Sequence, residues 1–130
     1  MMRYFVTMGL LLTLAPGLAQ AEGDRRVVSC QATKICDESG SCKPSNRLVT
    51  LGLTPIKRGP NGEGAHWIDY DGQQYKANNV TGRGPIVWST DGADVQTLLY
   101  AGENETIWHR LIPAPQAHSS LEFFNCKDAS

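Results

Sequence analysis

The sequence lacks the spacings that most catalytic, metal-binding and membrane-spanning readings require. It has no Cys-x-x-Cys, the motif of thioredoxin-type redox chemistry. Structural zinc wants two close pairs of ligands, two to four residues apart within each pair. Here the four cysteines, Cys30, Cys36, Cys42 and Cys126, are separated by five, five and eighty-three residues. His66, His109 and His118 show no matching ligand spacing. No Gly-x-Ser-x-Gly elbow occurs. Asp69 and Asp71 resemble the start of a calcium loop, but its twelfth position would be Val80 rather than glutamate. No metal and no cofactor are expected. Basic residues are scattered, with Arg25-Arg26 and Lys57-Arg58 the only adjacent pairs, so the clustered footprint of a nucleic-acid binder is missing. No sustained 3.6-residue apolar stripe is present, which predicts little helix.

The opening stretch, by contrast, has a clear pattern. In "MMRYFVTMGLLLTLAPGLAQAEG", Arg3 gives a short positive region and an apolar run follows. Pro16 and Gly17 break that run, and Ala19-Gln20-Ala21 is a small-x-small cleavage site. These are the parts of a secretory signal. The run is far short of the roughly 20 residues needed to span a bilayer. The expectation is a cleaved signal at 1–21 and a single mature domain at 22–130. No cysteine follows the cleavage site, so no lipid anchor is expected. Without Arg3, eleven Lys and Arg face thirteen Asp and Glu, a net charge near −2.

Export changes how the cysteines read. An even number in an oxidising space, periplasmic or secreted, favours disulfides. Four cysteines allow three connectivities. "CDESGSC" at 36–42 has turn composition, with Gly40 permitting positive φ. That favours a Cys36–Cys42 loop, with Cys30–Cys126 joining the first strand to the last. Cys30–Cys36 with Cys42–Cys126 stays open as the alternative.

Short β-branched or apolar runs alternate with turn signals along the rest of the chain. Candidate strands fall at 27–33, 47–54, 65–70, 73–78, 85–90, 94–100, 105–111 and 120–126. Asp71-Gly72 and Asp91-Gly92 each lie between two runs, a two-residue hairpin signal. Eight short strands joined by turns predict an all-β fold, a small antiparallel up-and-down barrel. A bridge between the end strands would close such a sheet and remove its edges. Eight strands leave an interior that side chains can just fill. The chain's tryptophans, tyrosines and phenylalanines are expected to fill it. Asp91 and Asp94 read as surface carboxylates beside a turn, and the histidines as exposed or partly satisfied.

The segment "YDGQQYKANNVTGRGPIVWSTDGADVQTLLYAG" at 70–102 resembles the central part of the membrane-bound lysozyme inhibitor family. Members are small periplasmic or lipid-anchored barrels with a disulfide between their end strands. Gly72 and Tyr75 match the family's Gly-x-x-Tyr element, and Thr81-Gly82 stands where Ser-Gly would be. The run 87–92 stands where Phe-Trp-x-Lys-Gly would be, one residue longer. In the family, a serine and a lysine from these elements engage the catalytic acids of lysozyme. This chain has Thr81 and Thr90 at those places, so the cation is missing; Arg83 is near enough in sequence to be considered a substitute.

The resemblance implies a binding or inhibitor module acting on a lysozyme-like or other protein, or on a glycan. Its binding edge would comprise Thr81, Arg83, Trp88 and Thr90. Gly82 and Gly84 flank Arg83 and let the backbone approach a partner closely. Arg and Trp are the residue types enriched at interface hot spots. The alternative is a structural or small-ligand-binding exported domain. No catalytic constellation can be named, so an enzyme is not expected.

Overall fold

A computed structural model describes residues 25–129. The expected secretory signal and its cleavage site lie outside the described residues. Nine strands and no helix are present among the described residues: β1 (Arg26–Asp37), β2 (Cys42–Pro44), β3 (Leu48–Pro55), β4 (Gly64–Tyr70), β5 (Gln73–Asn79), β6 (Ile86–Trp88), β7 (Val95–Tyr100), β8 (Glu105–Ile112) and β9 (His118–Asp128). All pairings are antiparallel. β3 to β9 follow one another in order, and β1 pairs with both β3 and β9. The eight-stranded barrel is therefore closed. β2 is an extra strand that continues β1 into a hairpin.

Each strand alternates between the two faces, so one register decides what lies inside. Along β4, His66 and Ile68 are buried while Trp67 is outside. Along β7, Gln96 and Leu98 are buried while Val95 and Leu99 face out. The middle of the barrel is one apolar cluster that includes Leu51, Ile68, Trp88, Leu98, Trp108 and Phe124. Trp108 contacts Tyr70 edge-on at 4.9 Å and Trp88 at 5.6 Å between ring centroids. The interior is thus filled by side chains at mid-height. Not every aromatic joins it: Trp67 is outside, and Phe123 lies under the Lys34 ammonium at 4.6 Å on the outer face.

Both disulfides join residues that are paired directly across strands, Cys30 with Cys126 and Cys36 with Cys42. They lie on opposite faces for a local reason. The register between β1 and β9 shifts between Ala32 and Lys34, where Thr33 is the extra residue. A bulge of one residue reverses which side chains face in. Cys30 and Ala32 therefore belong to the core, whereas Cys36 pairs beside Leu121 on the outer side, covered by β2. Two disulfides of this kind fit an oxidising compartment.

Two local expectations are corrected. Asp71-Gly72 does form the two-residue hairpin, with φ of 50° and 74°. Asp91-Gly92 does not: β6 ends at Trp88, and a longer loop at 89–94 follows. Asp94 builds that loop. Its carboxylate accepts from the Ser89 hydroxyl (2.9 Å), the Thr90 amide (2.7 Å) and the Thr90 hydroxyl (2.7 Å). Asp94 is therefore a buried carboxylate rather than a surface one.

Candidate functional site

The up-and-down path gives the barrel two unlike ends. The lower end is where β1 begins and β9 finishes; it carries the β3–β4 loop (56–63), the β5–β6 loop (80–85) and the β7–β8 turn (101–104). The upper end carries the β4–β5 turn and the 89–94 loop. The four residues of the expected binding edge do not come together. Thr81 and Arg83 are at the lower end and Thr90 is at the upper end, because β6 lies between their loops. Trp88 is in the core, 4% exposed, with its indole N–H donating to the Tyr70 hydroxyl at 3.1 Å. Its period-2 neighbour Ile86 is also buried, so the register of β6 turns both inward.

The threonine hydroxyls are engaged within their own loops. Thr81 Oγ1 donates to the Gly84 carbonyl at 2.5 Å and accepts from the Arg83 amide at 3.2 Å. Thr90 Oγ1 donates to Asp94. Arg83 alone remains as expected, an exposed side chain on a loop. No hydrogen bond or ion pair holds its guanidinium among the described residues.

The upper end carries a polar network centred on Arg47, Glu122, Gln96 and Asp94. Arg47 Nε and Nη2 both donate to Glu122 Oε1, at 2.9 and 2.5 Å. The Arg47 guanidinium also lies 5.1 Å from the Trp108 ring centroid and 5.3 Å from that of Phe124. Gln96 Oε1 accepts from the Trp108 indole (2.7 Å) and from Arg110 Nε (3.2 Å), while its amide donates to Asp94 (2.5 Å). Burial by itself would raise the Asp94 pKa. The hydrogen bonds from Gln96, Thr90 and Ser89 outweigh it and hold the carboxyl far below the usual carboxylate range. The network reads as the barrel's upper plug.

The lower end differs. A cavity of about 330 Å³ opens there, with Leu53 and Ile86 at its apolar floor and His66, Asn79 and Tyr100 among its polar walls. Arg26 and Arg58 also line it. Two loops frame the mouth, and they touch backbone to backbone. A Cβ on Gly82 would overlap the Asn61 carbonyl oxygen, so only glycine permits this approach. Each loop is braced from within. Glu63 accepts from the Asn61 amide at 3.0 Å, and Val80 N donates to the Pro85 carbonyl at 3.0 Å.

Asn79 and His66 give the mouth its chemistry. Asn79 is 7% exposed, and its Nδ2 donates to the Gly62 carbonyl at 3.4 Å. Its Oδ1 is buried with no partner among the described residues. His66 is 6% exposed, with Nδ1 3.0 Å from the Gly64 carbonyl. A carbonyl only accepts, so Nδ1 carries the hydrogen of this contact. Tyr100 is pushed above its ordinary pKa chiefly by burial, so its hydroxyl stays protonated.

Sequence reasoning missed these residues. The alternation 75, 77, 79 in β5 could have placed Asn79 inside, but the candidate strand ends at residue 78. No group of three or more His, Cys, Asp or Glu able to hold a metal occurs among the described residues. No protein-family model, curated protein or solved structure matches the chain.

Proposed function

We propose that this is an exported, periplasmic or secreted binding protein that receives a small ligand at the lower mouth and does no chemistry on it. The observation that carries this reading is the cavity of about 330 Å³ at the lower end, lined by His66, Asn79 and Tyr100 together with Leu53 and Ile86. The test is amide chemical-shift mapping of the mature protein against a chemically broad set of small molecules. Shifts confined to Arg26, 53–66, 79–86 and the region of Tyr100 are expected. Saturating shifts elsewhere, or none from any compound, would overturn the reading.

A second reading follows from Arg83. It is an exposed cation on a loop fixed by the Thr81 turn and by contact with the neighbouring loop. A pre-ordered cation suits an acidic cleft on a partner protein, since less entropy is lost on docking. Inhibition of a lysozyme is the form of this reading that the family resemblance implies. Lysozyme activity titrated with the protein tests it, with Arg83→Ala expected to abolish inhibition. Unchanged lysozyme activity at micromolar protein would remove this reading and leave the mouth untouched.

A further inference from the structure

We propose that Cys36–Cys42 is a reactive disulfide that exchanges with external thiols, whereas Cys30–Cys126 is inert while the barrel is folded. The two bonds differ in their surroundings. Cys30 and Cys126, 3% and 8% exposed, belong to the apolar cluster and join β1 to β9. A thiolate reaches them only after those strands part. Cys36–Cys42 lies outside the barrel wall and closes only the β1–β2 hairpin. Cys36 is 7% exposed, but Cys42 is an exposed residue of the edge strand β2. Both cysteines line a cleft of about 370 Å³. Lys43 and His118 line it as well as Asp37 and Glu38, so charge of one sign does not bar a thiolate. Exposed disulfides are the labile ones, and buried structural ones resist reduction.

The exposed residue of the pair sets the course of exchange. An incoming thiolate attacks Cys42 Sγ, and the bond to Cys36 breaks as the mixed disulfide forms. Cys36 leaves as a thiolate and takes a proton from water. A second thiol then attacks the outer sulfur of the mixed disulfide, which releases Cys42 and the oxidised thiol pair. Two electrons pass from two thiols to one disulfide, and nothing else is consumed. The hairpin survives this step because other bonds hold its turn. Asp37 Oδ1 accepts from the Ser39 amide at 2.9 Å, the Ser41 amide at 3.1 Å and the Ser39 hydroxyl at 2.6 Å. Asp37 N donates to the Ser41 carbonyl at 3.0 Å. Cys36 and Cys42 therefore stay opposed across the hairpin after reduction, and the reverse exchange with an external disulfide closes them again.

The test is reduction of the mature protein by glutathione and, separately, by reduced thioredoxin, with alkylation at intervals and mass mapping of the labelled cysteines. Cys36 and Cys42 are expected to be labelled at least about 100-fold faster than Cys30 and Cys126, because a hairpin opens far more often than a closed barrel. The far-UV circular dichroism of the barrel should persist through this first phase. Trapped intermediates are expected to carry glutathione on Cys42 and a free thiol on Cys36. Reduction by glutathione marks a site open to small thiols; reduction by thioredoxin alone marks one that needs a protein dithiol; either supports the proposal. Asp37→Ala, which frees the turn, is expected to slow reclosure by oxidised glutathione about tenfold, since the two thiols are then less well held together. Loss of both disulfides in a single step overturns the proposal. So does labelling of neither bond by either reagent when the urea-unfolded protein is labelled at every cysteine. Glutathione on Cys36 instead of Cys42 overturns the order of attack, and unchanged reclosure in Asp37→Ala overturns the role of the turn.

Discussion

Arg47 and Glu122, seventy-five residues apart, meet inside the upper end of the barrel, with two guanidinium N–H groups on one carboxylate oxygen. The carboxylate is 11% exposed and the guanidinium 35%. Neither residue lies in the apolar cluster, yet Arg47 stacks on two of its aromatic rings, so the ion pair caps the core. Arg47→Met leaves the carboxylate without its cation. A fully buried pair would lose about 3–5 kcal/mol on such a change. Partial exposure lowers this to about 2 kcal/mol. Adding Glu122→Leu is expected to recover most of the loss, because the uncompensated charge is then gone. Urea unfolding midpoints of the two variants check both steps. An unchanged midpoint in Arg47→Met would show that the pair does not hold this end.

Asp94 gives the protein a specific acid sensitivity. Its folded pKa is depressed below its ordinary value of 3.8. A depressed carboxylate contributes stability that is complete above the unfolded pKa and is lost as pH falls toward the folded one. Stability is therefore expected to decline below about pH 4, and Asp94→Asn should flatten that decline. The same variant should also melt lower at neutral pH, since an amide cannot accept from Ser89, Thr90 and Gln96 as a carboxylate does. Thermal melts from about pH 2 to 7 read both effects. An identical acid slope in the variant would remove Asp94 as the cause.

The two disulfides should differ in worth. Cys30–Cys126 closes a loop of sequence separation 96, and Cys36–Cys42 one of 6. In the chain-entropy model these contribute nearly 5 and about 2 kcal/mol. Cys30→Ser with Cys126→Ser also puts hydroxyls into the core, adding to the loss. Cys36→Ser with Cys42→Ser alters only a covered outer contact. Denaturant midpoints of the two double variants are expected to fall in that order; the reverse order would contradict it.

How far the sequence reached depends on the length scale of each signal. Strand alternation and cysteine spacing are local, and they led to the closed barrel and to both disulfides. Asp71-Gly72 behaved as its two residues dictate. Asp91-Gly92 did not, because Asp94, three residues on, offers the loop amides a better acceptor than a tight turn would leave. The Thr33 bulge and strand β2 carry no local mark, since both depend on which strand lies beside β1. The binding edge was misjudged for a topological reason. Residues 81–91 are contiguous in sequence, but a single crossing of the barrel divides them between its ends. Asn79 and His66 become a site only when β4 and β5 are placed side by side over a cavity.

The contact between the two mouth loops makes the final prediction. Gly82 does not have positive φ, unlike Gly84 and Gly62. Alanine is therefore permitted there by its own backbone. What excludes it is the Asn61 carbonyl, oxygen and carbon, across the gap. Both are backbone atoms, so no side chain can swing away to make room. Gly82→Ala is expected to part the loops and to cost about 1–3 kcal/mol, the usual range for overpacking. The change should be local. Amide exchange should quicken at 56–63 and 80–85, while the upper plug at Arg47, Gln96 and Glu122 keeps its protection. Gly92→Ala is the control for backbone strain, because Gly92 has φ of 83° and its added methyl would meet nothing within 4 Å. If both variants quicken exchange only in their own loops, steric contact at Gly82 and strain at Gly92 are separated. Unaltered exchange at 56–63 in Gly82→Ala would mean that the loops do not support one another.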